Sequence, residues 1–246
     1  MLLLEGTFPF VSGGVSSWVQ QIILGFPDIR FGAIFLGSRK QDYGHMRYTL
    51  PPNLVHLETA YLYEDEAPPP IARVKAPAKS MELVERMHDM FENDLRHPEC
   101  PHLFASMMDE AGPGGMLSQD MFLYSDGSWD YIKKTYRSRS TDPSFVDYFW
   151  TVRTIHRPFW GLREVAVRAP KARIYHAVST GYAGILGVLL KHRNKRPFML
   201  SEHGIYVKER KIDLYQAQWI KDNRTVFEHD PSQVSYYRQL WIRFFE

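Results

Sequence analysis

The sequence predicts an α/β fold: a parallel sheet with helices on both faces and a helical insertion in its middle. Three observations carry that expectation. The first 26 residues, MLLLEGTFPFVSGGVSSWVQQIILGF, run from a short apolar stretch through a glycine loop into an amphipathic segment. Residues 30–36, RFGAIFL, are apolar at nearly every position, as in a strand covered on both faces. Late in the chain, 172–176 and 197–200 read as strands on either side of a helix at 181–191. The order is βαβ, a helical stretch, then βαβ, which implies parallel pairing.

Each element has its own signal. Leu2 to Leu4 form the first strand, ended by Glu5-Gly6-Thr7. Val15, Trp18, Val19, Ile22 and Ile23 recur at helical spacing, so a helix is expected from about Val15 to Leu24, with Ser12 as a candidate cap and Pro27 as its stop. A short strand is expected near Leu54 to Leu57, then a Pro- and Ala-rich surface loop from Glu64 to Lys79. Ser80 opens a helix to about Arg96, with Met81, Val84, Met87, Met90 and Phe91 as its apolar face, broken by Pro98 and Pro101. Gly112-Pro113-Gly114-Gly115 punctuates the next segment, and Phe145 to Val167 reads as an aromatic helix pair interrupted at Pro158. The sheet-forming domain is expected over 1–233, with its helical insertion at about 80–168. From Val234, VSYYRQLWIRFF sets Tyr237, Leu240, Trp241, Phe244 and Phe245 at helical spacing. That face needs something to pack on. The expectation is a continuation past Glu246, so that 234–246 begins a helix leading to a further domain; the alternative is a terminal helix docked on its own domain.

Composition narrows the function class. A formal net charge of +2 with no run of like charges argues against a dedicated nucleic-acid binder. The single cysteine, Cys100, excludes an internal disulfide and fits a reducing compartment. No stretch approaches the ~20 apolar residues of a membrane-spanning helix, and Leu2 to Leu4 is too short for a signal peptide. The reading is a soluble cytoplasmic chain. The histidines show neither HxxxH nor CxxC spacing, so no metal site is expected. Phe145, Tyr148, Phe149, Trp150 and Trp160 read as helix packing rather than a sugar platform.

Three loops carry candidate chemistry, each after a strand. Thr7, Gly13 and Gly14 lie between the first strand and the first helix, where bare N–H groups and the helix dipole favour an anion. The glycine pair allows close backbone approach and positive φ. It is neither a GxGxxG nor a Walker A loop, and a plain turn is the alternative. In Tyr175-His176-Ala177-Val178-Ser179-Thr180-Gly181, His176 can donate to a sugar hydroxyl or phosphate, while Ser179 and Thr180 can cap an anion. The alternative is an N-cap beside a core histidine. In Ser201-Glu202-His203-Gly204-Ile205-Tyr206, a carboxylate and an imidazole precede a glycine, so Glu202 and His203 can orient an acceptor hydroxyl or act as acid or base. Lys208 and Arg210 follow on a helix start, and a solvated charged helix is the alternative there.

Together, EGTFPFVSGGVSSWV, YHAVSTGYAG and SEHGIYVKERKID resemble the N-terminal half of PelF-type glycosyltransferases, within the retaining GT-B superfamily that includes glycogen synthases. The resemblance spans essentially the whole chain. It implies one Rossmann-like half of a GT-B fold, the acceptor side, facing a C-terminal domain across a cleft. It implies a nucleotide-sugar donor, UDP-glucose or a related UDP-sugar, as substrate with no resident cofactor, and a glycan acceptor. It further implies a cytoplasmic role in exopolysaccharide synthesis, peripheral to the inner face of the membrane through a membrane-bound synthesis complex. By that resemblance Gly13 and Gly14 reach the donor phosphates, His176 lies near the transferred sugar, and Glu202, His203 and Gly204 lie at the cleft. Thr7, Ser179, Thr180, Tyr206, Lys208 and Arg210 are expected as further substrate contacts. Many relatives carry two alternating histidines where this chain has His176 and then Val178. The basic pair that neutralises the leaving diphosphate belongs to the relatives' C-terminal domain, so the 246-residue chain alone is expected to be inactive. The competing reading is a non-catalytic scaffold module of an export complex, binding a partner through the aromatic middle and the Tyr237, Trp241 and Phe245 face.

Overall fold

The computed structural model describes residues 1–64, 74–93, 98–112, 115–140, 144–204, 206–217, 220 and 236–245. In chain order the elements are β1 (Leu2–Glu5), α1 (Gly14–Gly25), β2 (Phe31–Gly37), β3 (Leu54–Tyr61), α2 (Ala78–Asn93), α3 (Cys100–Glu110), α4 (Gln119–Tyr124) and α5 (Asp126–Arg139). Then come α6 (Phe145–Arg168), β4 (Tyr175–Ala177), α7 (Tyr182–Asn194), β5 (Phe198–Leu200), α8 (Tyr206–Gln216) and α9 (Tyr236–Phe245). They divide into two compact units, Met1–Glu66 with Arg157–Tyr206, and Ala67–His156 with Val207–Glu246.

The first unit is the predicted α/β sheet. Its five strands are all parallel, in the order β3-β2-β1-β4-β5. Alternate side chains leave opposite faces of a strand. Leu2, Leu4 and Ala33 accordingly pack with Val19 and Ile23 of α1, together with Phe8 and Val178. The chain winds one way through β1, β2 and β3, and the other way from β4 to β5. Right-handed crossovers therefore put α1 and α7 on opposite faces. β2 is buried from Gly32 to Gly37, as its unbroken apolar sequence requires.

Several boundaries differ from expectation. β3 extends to Tyr61 because it is the sheet's edge strand, where polar residues such as Glu58 and Thr59 are tolerated. Glu58 is held there by an ion pair with Arg168. Pro158 does not split α6, which runs unbroken through 24 residues. An interior proline costs about 3 kcal/mol, which burial of Ile155, Trp160, Leu162 and Val165 around it offsets. Ser12 does not cap α1; Gly13 holds the cap position with no side-chain bond, and Ser16 Oγ donates to Val11 O at 2.6 Å instead. Most of the expected 64–79 loop, and residues 94–97 of the expected helix end, lie outside the described residues.

The second unit is helical. Its core joins Ile132 of α5, Tyr148, Val152 and Ile155 of α6, Leu214 of α8, and Tyr237, Trp241 and Ile242 of α9. Tyr237 Oη donates to Ser144 O at 2.6 Å, and Arg238 donates to the carbonyls of Tyr215 and Ala217. Tyr237, Leu240 and Trp241 of the expected apolar face thus pack within their own unit against the aromatic side of α6; the side chains of Phe244 and Phe245 lie outside the described residues. Trp160 and Tyr148 are buried as packing residues, but Trp150 is 58% exposed and departs from that expectation.

Candidate functional site

Parallel strands end at one edge of their sheet, and the connections reverse direction between β1 and β4. In open α/β sheets that switch point is where ligands bind. The pairing of Leu3 with Ala177 aligns the two strands, so the loops after Glu5 and after Ala177 leave the sheet side by side. The loop after β5 follows on the other side of β4, continued by the Ser201 N–H donating to Ala177 O at 2.9 Å.

At this edge three hydroxyl oxygens are buried without a hydrogen-bond partner: Thr7 Oγ1, Ser179 Oγ and Thr180 Oγ1. An unsatisfied buried hydroxyl costs about 1–3 kcal/mol, a cost that a polar group reaching these neighbouring loops would relieve. Gly13 and Gly14 lie on the same loop as Thr7, between β1 and α1. Among the described residues the positive-φ glycines are Gly6 (φ 58°) and Gly181 (φ 75°), not this pair, which corrects the positive-φ expectation. Gly13 is extended, and a Cβ built on either Gly13 or Gly14 meets nothing within 4 Å. Neither packing nor backbone angle demands glycine at 13 and 14, so what the pair provides is bare space beside the uncapped start of α1.

Tyr48 fixes this loop from outside. The Gly13 N–H donates to Tyr48 Oη at 3.3 Å, and Ser17 Oγ lies 3.2 Å from the same oxygen. Hydrogen bonds from Ser17 and then the Gly13 backbone hold the phenol below its ordinary range. At α7, the Ala183 N–H donates to Glu5 Oε2 at 3.1 Å. A first-turn donor of α7 is thus engaged by a carboxylate of the chain itself, on the favourable end of the helix dipole.

His176 is 9% exposed, and its Nε2 lies 2.8 Å from Ser201 Oγ. Burial lowers its pKa, and the positive amino terminus and His203 lower it further, so the ring is neutral at pH 7. Trp18 stands edge-on to both imidazoles, with ring centroids 4.4 Å from His203 and 6.1 Å from His176. Glu202, His203 and Gly204 are exposed on the β5 loop.

The first unit therefore brings Thr7, Gly13, Gly14, His176, Ser179, Thr180, Glu202, His203 and Gly204 to one sheet edge. Lys208 and Arg210 belong to the second unit, on α8, where Arg210 lies 3.9 Å from Asp213. Tyr206 opens α8, and its side chain lies outside the described residues, as does Ile205. Sequence reasoning passed over Glu5, Trp18, Tyr48 and Ser201. An acid ending an apolar strand was a signal for Glu5. Trp18 was hidden by its place in the helix's apolar stripe, and Tyr48 has no local signal because its partners lie 31 and 35 residues away. Among the described residues no group of three His, Cys, Asp or Glu side chains is placed to hold a metal ion, and no helix is long and apolar enough to cross a membrane.

No curated protein and no solved structure matches the chain. The family described as Domain of unknown function (DUF3492) matches residues 1–246 from end to end. With its parallel sheet and switch-point edge, the chain belongs to that family, which is associated with glycosyltransferases as an N-terminal domain of the GT-B kind.

Proposed function

We propose that the chain is the acceptor-side domain of a retaining, PelF-like glycosyltransferase that uses a UDP-sugar to build an exopolysaccharide. The observation that carries the reading is the set of unpartnered hydroxyls, Thr7, Ser179 and Thr180, beside the open backbone of Gly13 and Gly14. A sugar or diphosphate offers many acceptors and donors in a small volume, which suits three hydroxyls and a bare helix start. A neutral His176 suits a sugar hydroxyl better than a phosphate, because it brings hydrogen bonding without charge. His203 and Glu202, exposed at the same edge, stand where an acceptor glycan enters. Donor and acceptor are substrates, and no resident cofactor takes part. The work is placed in the cytoplasm, at the inner membrane face through partners.

The cations that stabilise a leaving diphosphate are assigned to a second Rossmann-like domain. The test is UDP release from UDP-glucose, with the 246-residue chain compared with the chain joined to such a domain. Turnover is expected only in the joined protein. Comparable turnover by the 246-residue chain alone would contradict the division of labour. The scaffold reading keeps one supporting observation, the exposed Trp129, Val146 and Trp150 of the helical unit. It gains if a partner protein, but neither UDP-sugar nor oligosaccharide, shifts the melting temperature.

A further inference from the structure

In the helical unit His88 of α2 meets His156 of α6 with Nε2 to Nε2 at 2.7 Å. Each ring has its other nitrogen against a carbonyl one turn back in its own helix: His88 Nδ1 is 2.8 Å from Val84 O, and His156 Nδ1 is 2.7 Å from Val152 O. Carbonyl oxygens only accept, so both Nδ1 atoms must carry protons. A neutral imidazole has one N–H, which leaves both Nε2 atoms as bare lone pairs facing each other. Every arrangement of two neutral rings therefore leaves one lone-pair contact, either between the rings or against a carbonyl. A third ring proton, held between the two Nε2 atoms, satisfies all three contacts.

We propose that His88 and His156 form a proton-binding site that clamps α2 to α6, holding three ring protons and one positive charge at neutral pH. The surroundings suit a single charge. His88 packs against Tyr131 at 5.2 Å, a ring that favours a cation, and His156 against Phe122 at 4.8 Å. Charged neighbours on the surrounding elements are largely engaged elsewhere. On α2 and α5, Glu85 pairs with Lys134 and Asp89 with Arg139. On α6, Arg153 donates to Leu123 O and lies over Tyr124 and Phe149, and Arg157 follows His156 directly. On α3, Glu110 accepts from Ser80; on α9, Arg238 donates to the Tyr215 and Ala217 carbonyls. Among the described side chains of α2, Arg86 and Glu82 are the remaining charges near this turn, and both are exposed; Glu92, one turn beyond His88, has its side chain outside the described residues. A second charge is refused: burial, and then His88, push His156 down to about 3. The pair thus titrates in two separate steps that belong to it jointly.

The sign follows from linkage. Above the ordinary histidine value of about 6.5 the unfolded rings release their protons while the folded pair keeps one, so stability falls as pH rises through the pair's upper step. Below about 6.5 the unfolded rings take two protons and the folded pair one, so stability also falls as pH drops toward the lower step. Stability contributed by the pair is therefore greatest near pH 6.5. The direct test is imidazole ¹⁵N NMR of the protein between pH 5 and 9. Both Nδ1 atoms should be protonated at pH 7.5, with one further proton held at least tenfold more tightly than by a free histidine. Two neutral rings at pH 7, one with a bare Nδ1, would overturn the proposal. His156→Gln supplies an amide N–H to a neutral His88 and should remove the alkaline loss of melting temperature between pH 6.5 and 9. His88→Gln reads the same effect from the other ring. Variants with the wild-type pH slope would also overturn it.

Discussion

Gly14 makes no contact that requires glycine, yet it opens α1 at the end of the loop that carries the unpartnered Thr7 hydroxyl. Gly14→Val should fold with stability within about 0.5 kcal/mol of wild type, since its added atoms meet open space. The same atoms would fill the approach to the α1 start, so UDP-sugar affinity should fall at least tenfold, about 1.4 kcal/mol. Calorimetric melting and a binding titration separate the two effects. His176 differs in kind, because its chemistry is set by burial. With its pKa below the ordinary 6.5 of histidine, the folded ring stays neutral over a window just below that value where the unfolded ring has already charged. Its contribution to stability is present above about pH 6.5 and is lost as pH falls through the folded value. Ligand binding should accordingly be level from pH 7 to 8.5 and decline only in acid, a profile that His176→Gln flattens.

At the scale of elements, Glu5 does what a phosphate would otherwise do, sitting on the α7 N-terminus through the Ala183 N–H. Glu5→Gln should cost about 0.3–1 kcal/mol of stability through the helix dipole, read as a lower denaturation midpoint that added salt partly erases. The strands and helices that frame the site were legible in the sequence because their apolar spacing is unambiguous. β1, α1, β2 and α7 start and end close to where periodicity put them. β3 was underread because an edge strand carries His56 and Glu58 in place of apolar residues. α6 was overdivided because Pro158 is a local breaker, whereas the packing that overrules it comes from residues distant in sequence. The site was legible as loops at strand ends, with His176 and the Ser179-Thr180 pair placed by their strand. Tyr48 and the two edge contacts of Trp18 were not, since tertiary contacts decide them.

At the scale of the whole chain, one unit supplies a parallel sheet whose switch point gathers the candidate residues, and the other a helical core with its own proton-binding histidines. The division follows the sequence, since the chain leaves the sheet after β3 and returns in the second half of α6. The family is glycosyltransferase-associated, and the parallel sheet is consistent with a Rossmann-like half of a GT-B fold. Beyond that, we propose that the edge between β1 and β4 is where this domain meets its sugar substrates. The measurement that bears on it most directly is a ¹⁵N and methyl NMR titration of the chain with UDP-glucose, and separately with oligosaccharide acceptors. Shifts should concentrate at Thr7, Gly13, Gly14, Ser179 and Thr180, and be lost in Gly14→Val. Saturating ligand that leaves those signals unmoved, or moves them equally in Gly14→Val, would contradict it.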